Sequence, residues 1–141
     1  MRLTISATAA AVMLAIAGAA GAETLHFQAK LAGSGEVPPN SSAGKGTVTA
    51  TLDTGSKAFT YDADYSGLSG PPLAAHFHGP AAPGENAPPV VPLKDAKSPA
   101  HGTATLTDAQ IADLKAGKWY FNVHTAANKG GEIRGQLEAV K

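Results

Sequence analysis

Three of the five histidines in this 141-residue chain stand in two short segments of strand-like alternation, Ala75-His76-Phe77-His78-Gly79 and Asn122-Val123-His124-Thr125. Alternate side chains of an extended strand share one face, so His76 and His78 point the same way. Leu73, Ala75 and Phe77 take the opposite parity and are predicted to face the core. In the second segment Trp119, Phe121 and Val123 take the core parity, leaving Tyr120, Asn122 and His124 on the other face. Residues two apart on a strand are separated by about 6.6–6.8 Å. Two imidazoles can lean across that gap and reach a metal through bonds of about 2.0–2.1 Å. If the two strands are neighbours, His76, His78 and His124 make a three-nitrogen site with an open position. That donor set suits copper(II) first and zinc(II) second. The chain has no cysteine, and its two methionines are Met1 and Met13. The rest of the chain therefore has no soft sulfur ligand, which argues against a blue-copper electron carrier or a dedicated Cu(I) site.

Other residues could complete or replace this site. His26 and His101 also sit at polar parity and could add a fourth nitrogen. Glu36 or Glu85 could supply a carboxylate, and Glu132 or Arg134 could orient an imidazole from behind. In the alternative reading no metal is involved. The His-Phe-His-Gly segment would then fix the long loop after Gly79, and His124 would donate to a loop carbonyl. Asp62 and Asp64 form a carboxylate pair at i and i+2, but the apolar parity of Tyr61, Ala63 and Tyr65 makes a solvated face the simpler reading. No Gly-x-Ser-x-Gly elbow occurs, and no glycine-rich loop links a strand to a helix. These motifs point to a binding protein before an enzyme. A redox metalloenzyme built on the same histidines is a third reading.

The elements that must position these residues are short. Sixteen glycines and ten prolines cluster between alternating runs, the pattern of an antiparallel β domain. Strands are predicted at Thr24–Leu31, Thr47–Leu52, Lys57–Tyr65, Leu73–His78, Gly102–Leu106, Trp119–Thr125 and Ile133–Val140, with a short edge strand at Val90–Leu93. Asp53–Ser56 and Asn128–Gly131 read as hairpin turns. Gly33–Gly44 and Gly79–Pro89 read as loops, because consecutive prolines cannot donate ladder hydrogen bonds. The single predicted helix is Asp108–Ala116. Thr107 and Gln110 form a capping box, Ile111 and Leu114 a buried stripe, and Gly117 the stop. Together these predict an all-β fold, an antiparallel β-sandwich with one short helix, of immunoglobulin-like or superoxide-dismutase-like Greek-key type.

Met1-Arg2 followed by an Ala-rich apolar run and Ala20-Gly21-Ala22 reads as a signal peptide over residues 1–22, leaving one domain over 23–141. The expected location is the periplasm or the cell exterior. The run is too short to span a membrane well, so no membrane partner is expected after cleavage. Eleven basic residues balance eleven acidic ones, which argues against nucleic acid or an anionic surface as partner.

The chain resembles the CHRD domain family, named after chordin. The resemblance rests on Leu31-Ala-Gly-Ser-Gly-Glu36-Val-Pro-Pro39, Ala75-His76-Phe-His78-Gly-Pro-Ala81 and Leu106-Thr-Asp-Ala-Gln110. Phe121-Asn-Val-His124-Thr125, Asn128 and Gly130-Gly-Glu-Ile-Arg134-Gly-Gln-Leu137 complete it. It implies an all-β sandwich, and a protein-interaction module in which loops 33–44 and 79–89 meet an exported partner. The His-x-His strand is also similar to the copper-binding strand of copper–zinc superoxide dismutases. Their zinc-site pattern has no counterpart here, so dismutase activity is not carried over. The expectation is an exported metal-binding protein for copper sequestration or delivery, with the interaction module as the alternative.

Overall fold

The computed structural model describes residues 21–141, so the predicted signal segment falls outside the described residues except for its last two. The alternating runs become strands because alternation lets each strand bury one face. The elements run β1 (Thr24–Ala32), a 3₁₀ turn (Gly33–Gly35), β2 (Lys45–Asp53), β3 (Ala58–Ser66), β4 (Ala74–His78) and β5 (Pro89–Pro92). They continue with β6 (Ala100–Thr105), α1 (Asp108–Lys115), β7 (Tyr120–His124), β8 (Ile133–Gln136) and β9 (Glu138–Ala139). The strands form an antiparallel sheet in the order β5-β4-β7-β8-β1-β2-β3-β6, with β9 beside β1.

β1, β2 and β3 make a long meander, with Phe27 opposite Ala50 and Ala50 opposite Tyr61. The link between β8 and β1 is a single pair, Ala32 opposite Arg134. There the sheet turns, and its two halves fold onto each other. Phe59 of β3 packs edge-on to Phe77 of β4, ring centroids 5.1 Å apart, and to Trp119 at 5.4 Å. Tyr65 meets Phe121 at 6.3 Å. These cross-layer aromatics, with Leu52, Val48, Ile133 and Leu137, form one core. The expected antiparallel sandwich is what this chain builds.

The helix begins as its sequence dictates. Thr107 Oγ1 accepts from the Gln110 N–H at 3.2 Å, and the Thr107 N–H donates to Gln110 Oε1 at 2.9 Å. Leu114 is buried and Ile111 half-buried. Two strand expectations need correction. Leu73 does not face the core: it precedes β4, follows Pro71-Pro72, and is 64% exposed. The run Ile133–Val140 is not one strand. The Leu137 N–H bonds to the Trp119 carbonyl, and the chain then crosses to pair with β1 as β9. The buried Leu137 side chain anchors that bend.

Candidate functional site

β4 and β7 are adjacent and antiparallel, with Ala74 opposite His124, His76 opposite Asn122 and His78 opposite Tyr120. β8 continues the rows, placing Arg134 beside Asn122 and Gln136 beside Tyr120. The polar parity of these three strands therefore forms one surface outside the core. His76 and His124 are diagonal neighbours on it, and such pairs lie within reach of long side chains. His76 Nδ1 lies 3.1 Å from His124 Nε2. One ring nitrogen from each of His76, His78 and His124 falls within 4.8 Å of the others.

This surface is not open. Loops 33–44 and 79–89 fold over it and bury Glu36, His78, Asn122 and Arg134, each at 7% exposure or less. Buried polar groups must find partners, and these do so mostly through the loops. His78 Nδ1 is 2.9 Å from the Ala87 carbonyl, and His78 Nε2 is 2.9 Å from the Asn122 side chain. The His78 ring stacks on Tyr120 at 4.7 Å and 3°. On Tyr120 the Arg134 guanidinium carbon sits 3.4 Å from the ring centroid, a cation–π arrangement. Arg134 donates to Asn86 Oδ1 at 3.0 Å and to the Glu85 carbonyl at 2.6 Å. Gln136 reaches the Ala81 and Gly117 carbonyls, both at 2.8 Å.

Tautomers follow from these contacts. A carbonyl only accepts, so His124 Nδ1, 2.8 Å from the Lys129 carbonyl, carries a proton. In the neutral ring that leaves Nε2 with its lone pair facing His76. His78 Nδ1 faces the Ala87 carbonyl and His78 Nε2 faces Asn122 Oδ1, both acceptors, so the neutral ring can donate to one of them at a time. Burial pulls the His76 and His78 imidazoles below the usual histidine range, and the neighbouring His124 adds to this for both. Neutral rings with lone pairs are the form that ligates metal.

Glu36 lies beside the histidine cluster rather than in it. Burial pushes its carboxyl up to about 7, against the pull of the Arg134 guanidinium and the Asn122 amide. Its Oε1 has no hydrogen-bond partner among the described residues. Both Glu36 and Asn122 press on Gly131, whose φ is 128° and where a Cβ would collide with Glu36 Oε1 and Asn122 Nδ2. Glycine is the residue this position requires.

The remaining sequence candidates fall elsewhere. His26 on β1 and His101 on β6 are exposed and belong to the other half of the sheet, outside the cluster. Glu85 is exposed, and its carboxylate accepts from the Ala82 N–H. Glu132 does not orient an imidazole. Its buried carboxylate accepts from the Ser42 hydroxyl at 2.7 Å, the Thr125 hydroxyl at 2.7 Å, the Asn128 amide at 3.1 Å and the Ser69 N–H at 2.9 Å, with the Ser69 hydroxyl also bonded. Burial raises this carboxyl, but the Ser69, Ser42 and Thr125 hydrogen bonds outweigh it and hold it at about 2. Arg134 does not bond to an imidazole: it stacks on Tyr120, holds Glu85 and Asn86 of the covering loop, and its charge lowers the His78 pKa. Tyr120 and Asn122 both contact His78, and the parity argument placed them on the right face without assigning a role. Their alternation with core residues was the available signal.

The fold and this surface define a class: an antiparallel sandwich with a loop-covered polar face carrying a histidine cluster. A family model, the CHRD domain, matches residues 27–137, and the chain belongs to that family. CHRD domains are generally protein-interaction modules of extracellular proteins. Comparison with curated proteins and with solved structures finds no match. Among the described residues no helix is long and apolar enough to cross a membrane.

Proposed function

We propose that this is an exported CHRD-domain protein, mature from about residue 23, that binds one transition-metal ion through His76, His78 and His124. Copper(II) is the first choice and zinc(II) the second, and the role is sequestration or delivery in the periplasm or outside the cell. The observation that carries the reading is the 3.1 Å approach of His76 Nδ1 to His124 Nε2, with the far nitrogen of His124 held by the Lys129 carbonyl. Two nitrogens that share a metal at about 2.0–2.1 Å stand roughly 3 Å apart. A hydrogen-bonded outer nitrogen is how proteins fix a ligating imidazole. His78 joins by exchanging its Asn122 contact for the ion.

A second reading is favoured by His78 itself, whose two nitrogens both have protein partners. In that reading the imidazoles pin loop 79–89, and the domain acts by recognising an exported partner. Calorimetric and spin-resonance titration of the purified protein with Cu(II) and Zn(II) separates the two. One equivalent bound through nitrogen, lost in His76→Ala/His124→Ala with the fold intact, is the expected result. No binding, with His78→Ala merely less stable, would leave the second reading.

A further inference from the structure

β5 and β6 are the two ends of the sheet, and no ladder joins them. The seam between them is a groove of about 680 Å³, floored by Tyr61, Val91 and Leu106 and lined along one side by Gly102 and Ala104 of β6. β5 cannot close it: it is four residues long and begins and ends in proline, which has no N–H to give. β6 is different. The Leu106 N–H bonds to the Lys57 carbonyl across the β3 ladder. By the antiparallel alternation, Ala104 and Gly102 also turn their backbone groups toward Phe59 and Tyr61. His101, Thr103 and Thr105 therefore turn theirs outward, away from β3, and no strand of the described chain pairs with that edge. A hydroxyl stands beside this row: Tyr61 lines the groove, and its Oη lies where a Gly102 Cβ would be. The glycine leaves that hydroxyl accessible from the groove. Lys94 and Lys97 stand at the rim against one acid, Asp95.

We propose that this seam is a peptide-binding site. An extended segment of a partner protein adds as a strand to the outer edge of β6, antiparallel or parallel. Its backbone pairs with His101, Thr103 and Thr105, and its inward side chains are apolar and contact Val91 and Leu106. Acidic residues flank it and meet Lys94 and Lys97. Strand addition draws affinity from main-chain hydrogen bonds and specificity from alternate side-chain pockets, and an unpaired edge is a template for it. The occupant is a polypeptide because the seam offers a row of unpaired backbone groups, and acidic because its rim carries net positive charge. This site is separate from the histidine face and does not depend on metal.

The probe is a fluorescein-labelled Glu-Val-Thr-Val-Thr-Val-Glu peptide, titrated into the protein by anisotropy, with backbone amide exchange read by NMR. Saturable binding that slows exchange at His101, Thr103 and Thr105 is expected. Thr103→Pro removes one outward N–H while leaving the β3 ladder whole, and should weaken binding at least tenfold. Tyr61→Phe should weaken it a few-fold with folding unchanged. Replacing both flanking glutamates by lysine should weaken it further. Binding that survives Thr103→Pro, or protection confined to other strands, overturns the proposal. So does self-association of the free protein that Thr103→Pro abolishes, which would make the occupant a second copy. No binding of the probe at millimolar concentration overturns it as well.

Discussion

At the scale of single residues, the polar face of β4, β7 and β8 turns on how protons are shared under cover. Burial pulls two histidines below their usual range, one arginine is stacked on an aromatic ring, and one glutamate carries a raised pKa. For Glu36 the sign of the effect on stability is definite. Its carboxyl titrates near 7 when folded and near 4.5 when unfolded. Between those values the folded state holds a proton that the unfolded chain has released, so stability falls as pH rises from about 4.5 to 7. Glu36→Gln should remove that slope: urea midpoints of wild type and variant should converge at pH 5, and the variant should be the more stable at pH 8. A wild-type advantage at pH 8 would mean that the Arg134 charge outweighs burial. Strand parity made His76, His78 and His124 visible in the sequence, because parity is local. Glu36 entered only as a possible ligand, and no local rule places it beside Asn122 and Arg134. That neighbourhood depends on a loop returning over the sheet.

At the scale of elements, short strands are joined by loops that side chains tie down. Glu132 is the clearest case. It gathers Ser42 from the loop before β2, Ser69 from the loop before β4, and Thr125 and Asn128 from the turn after β7. Hydrogen bonds to a charged group are worth more than neutral ones, and an unmade one exposes the full desolvation cost. Glu132→Gln should therefore cost about 1–3 kcal/mol, read by urea denaturation at pH 7. The wild-type carboxyl, held near 2, contributes stability that is full above about 4.5 and is lost as pH falls toward 2. The variant's deficit should thus shrink in acid. The capping box of α1, the β2–β3 hairpin and the edge character of β5 were all readable from the sequence, since each rests on residues within one turn of each other. Leu73 and the β8–β9 bend were not. Parity alone does not say where a strand begins after Pro71-Pro72, or that Leu137 will swing the chain from β7 to β1.

At the scale of the whole molecule, one aromatic cluster holds the two halves of the sheet together. Phe59 is fully buried, lies beside Tyr61 on its own strand, and packs against Phe77 and Trp119 across the layers. Removing a phenyl ring from such a core costs about 3–5 kcal/mol. Phe59→Ala should therefore lose a large share of the total stability of a domain this size, typically about 5–15 kcal/mol. The measurement is the shift in urea midpoint at constant slope. A shift of under 1 kcal/mol would mean that the layers are held chiefly elsewhere. The same folding-over leaves β5 and β6 as open ends, so the stability of the sandwich and the seam at its edge have one origin.

The sequence by itself determined the all-β class, the approximate bounds of most strands, the helix cap, and the shared face of His76 with His78. Each follows from interactions a few residues long: alternation, capping, proline's missing N–H. Only the tertiary structure decided that β4 lies beside β7, which brings His124 to His76, and that loops 33–44 and 79–89 bury the polar face. It also decided that β6 ends the sheet with an edge that no described strand pairs with. Those outcomes depend on which strands meet across tens of residues. That choice is made by the summed burial of Phe59, Phe77, Trp119 and their neighbours in one core, and no short segment of the chain contains it.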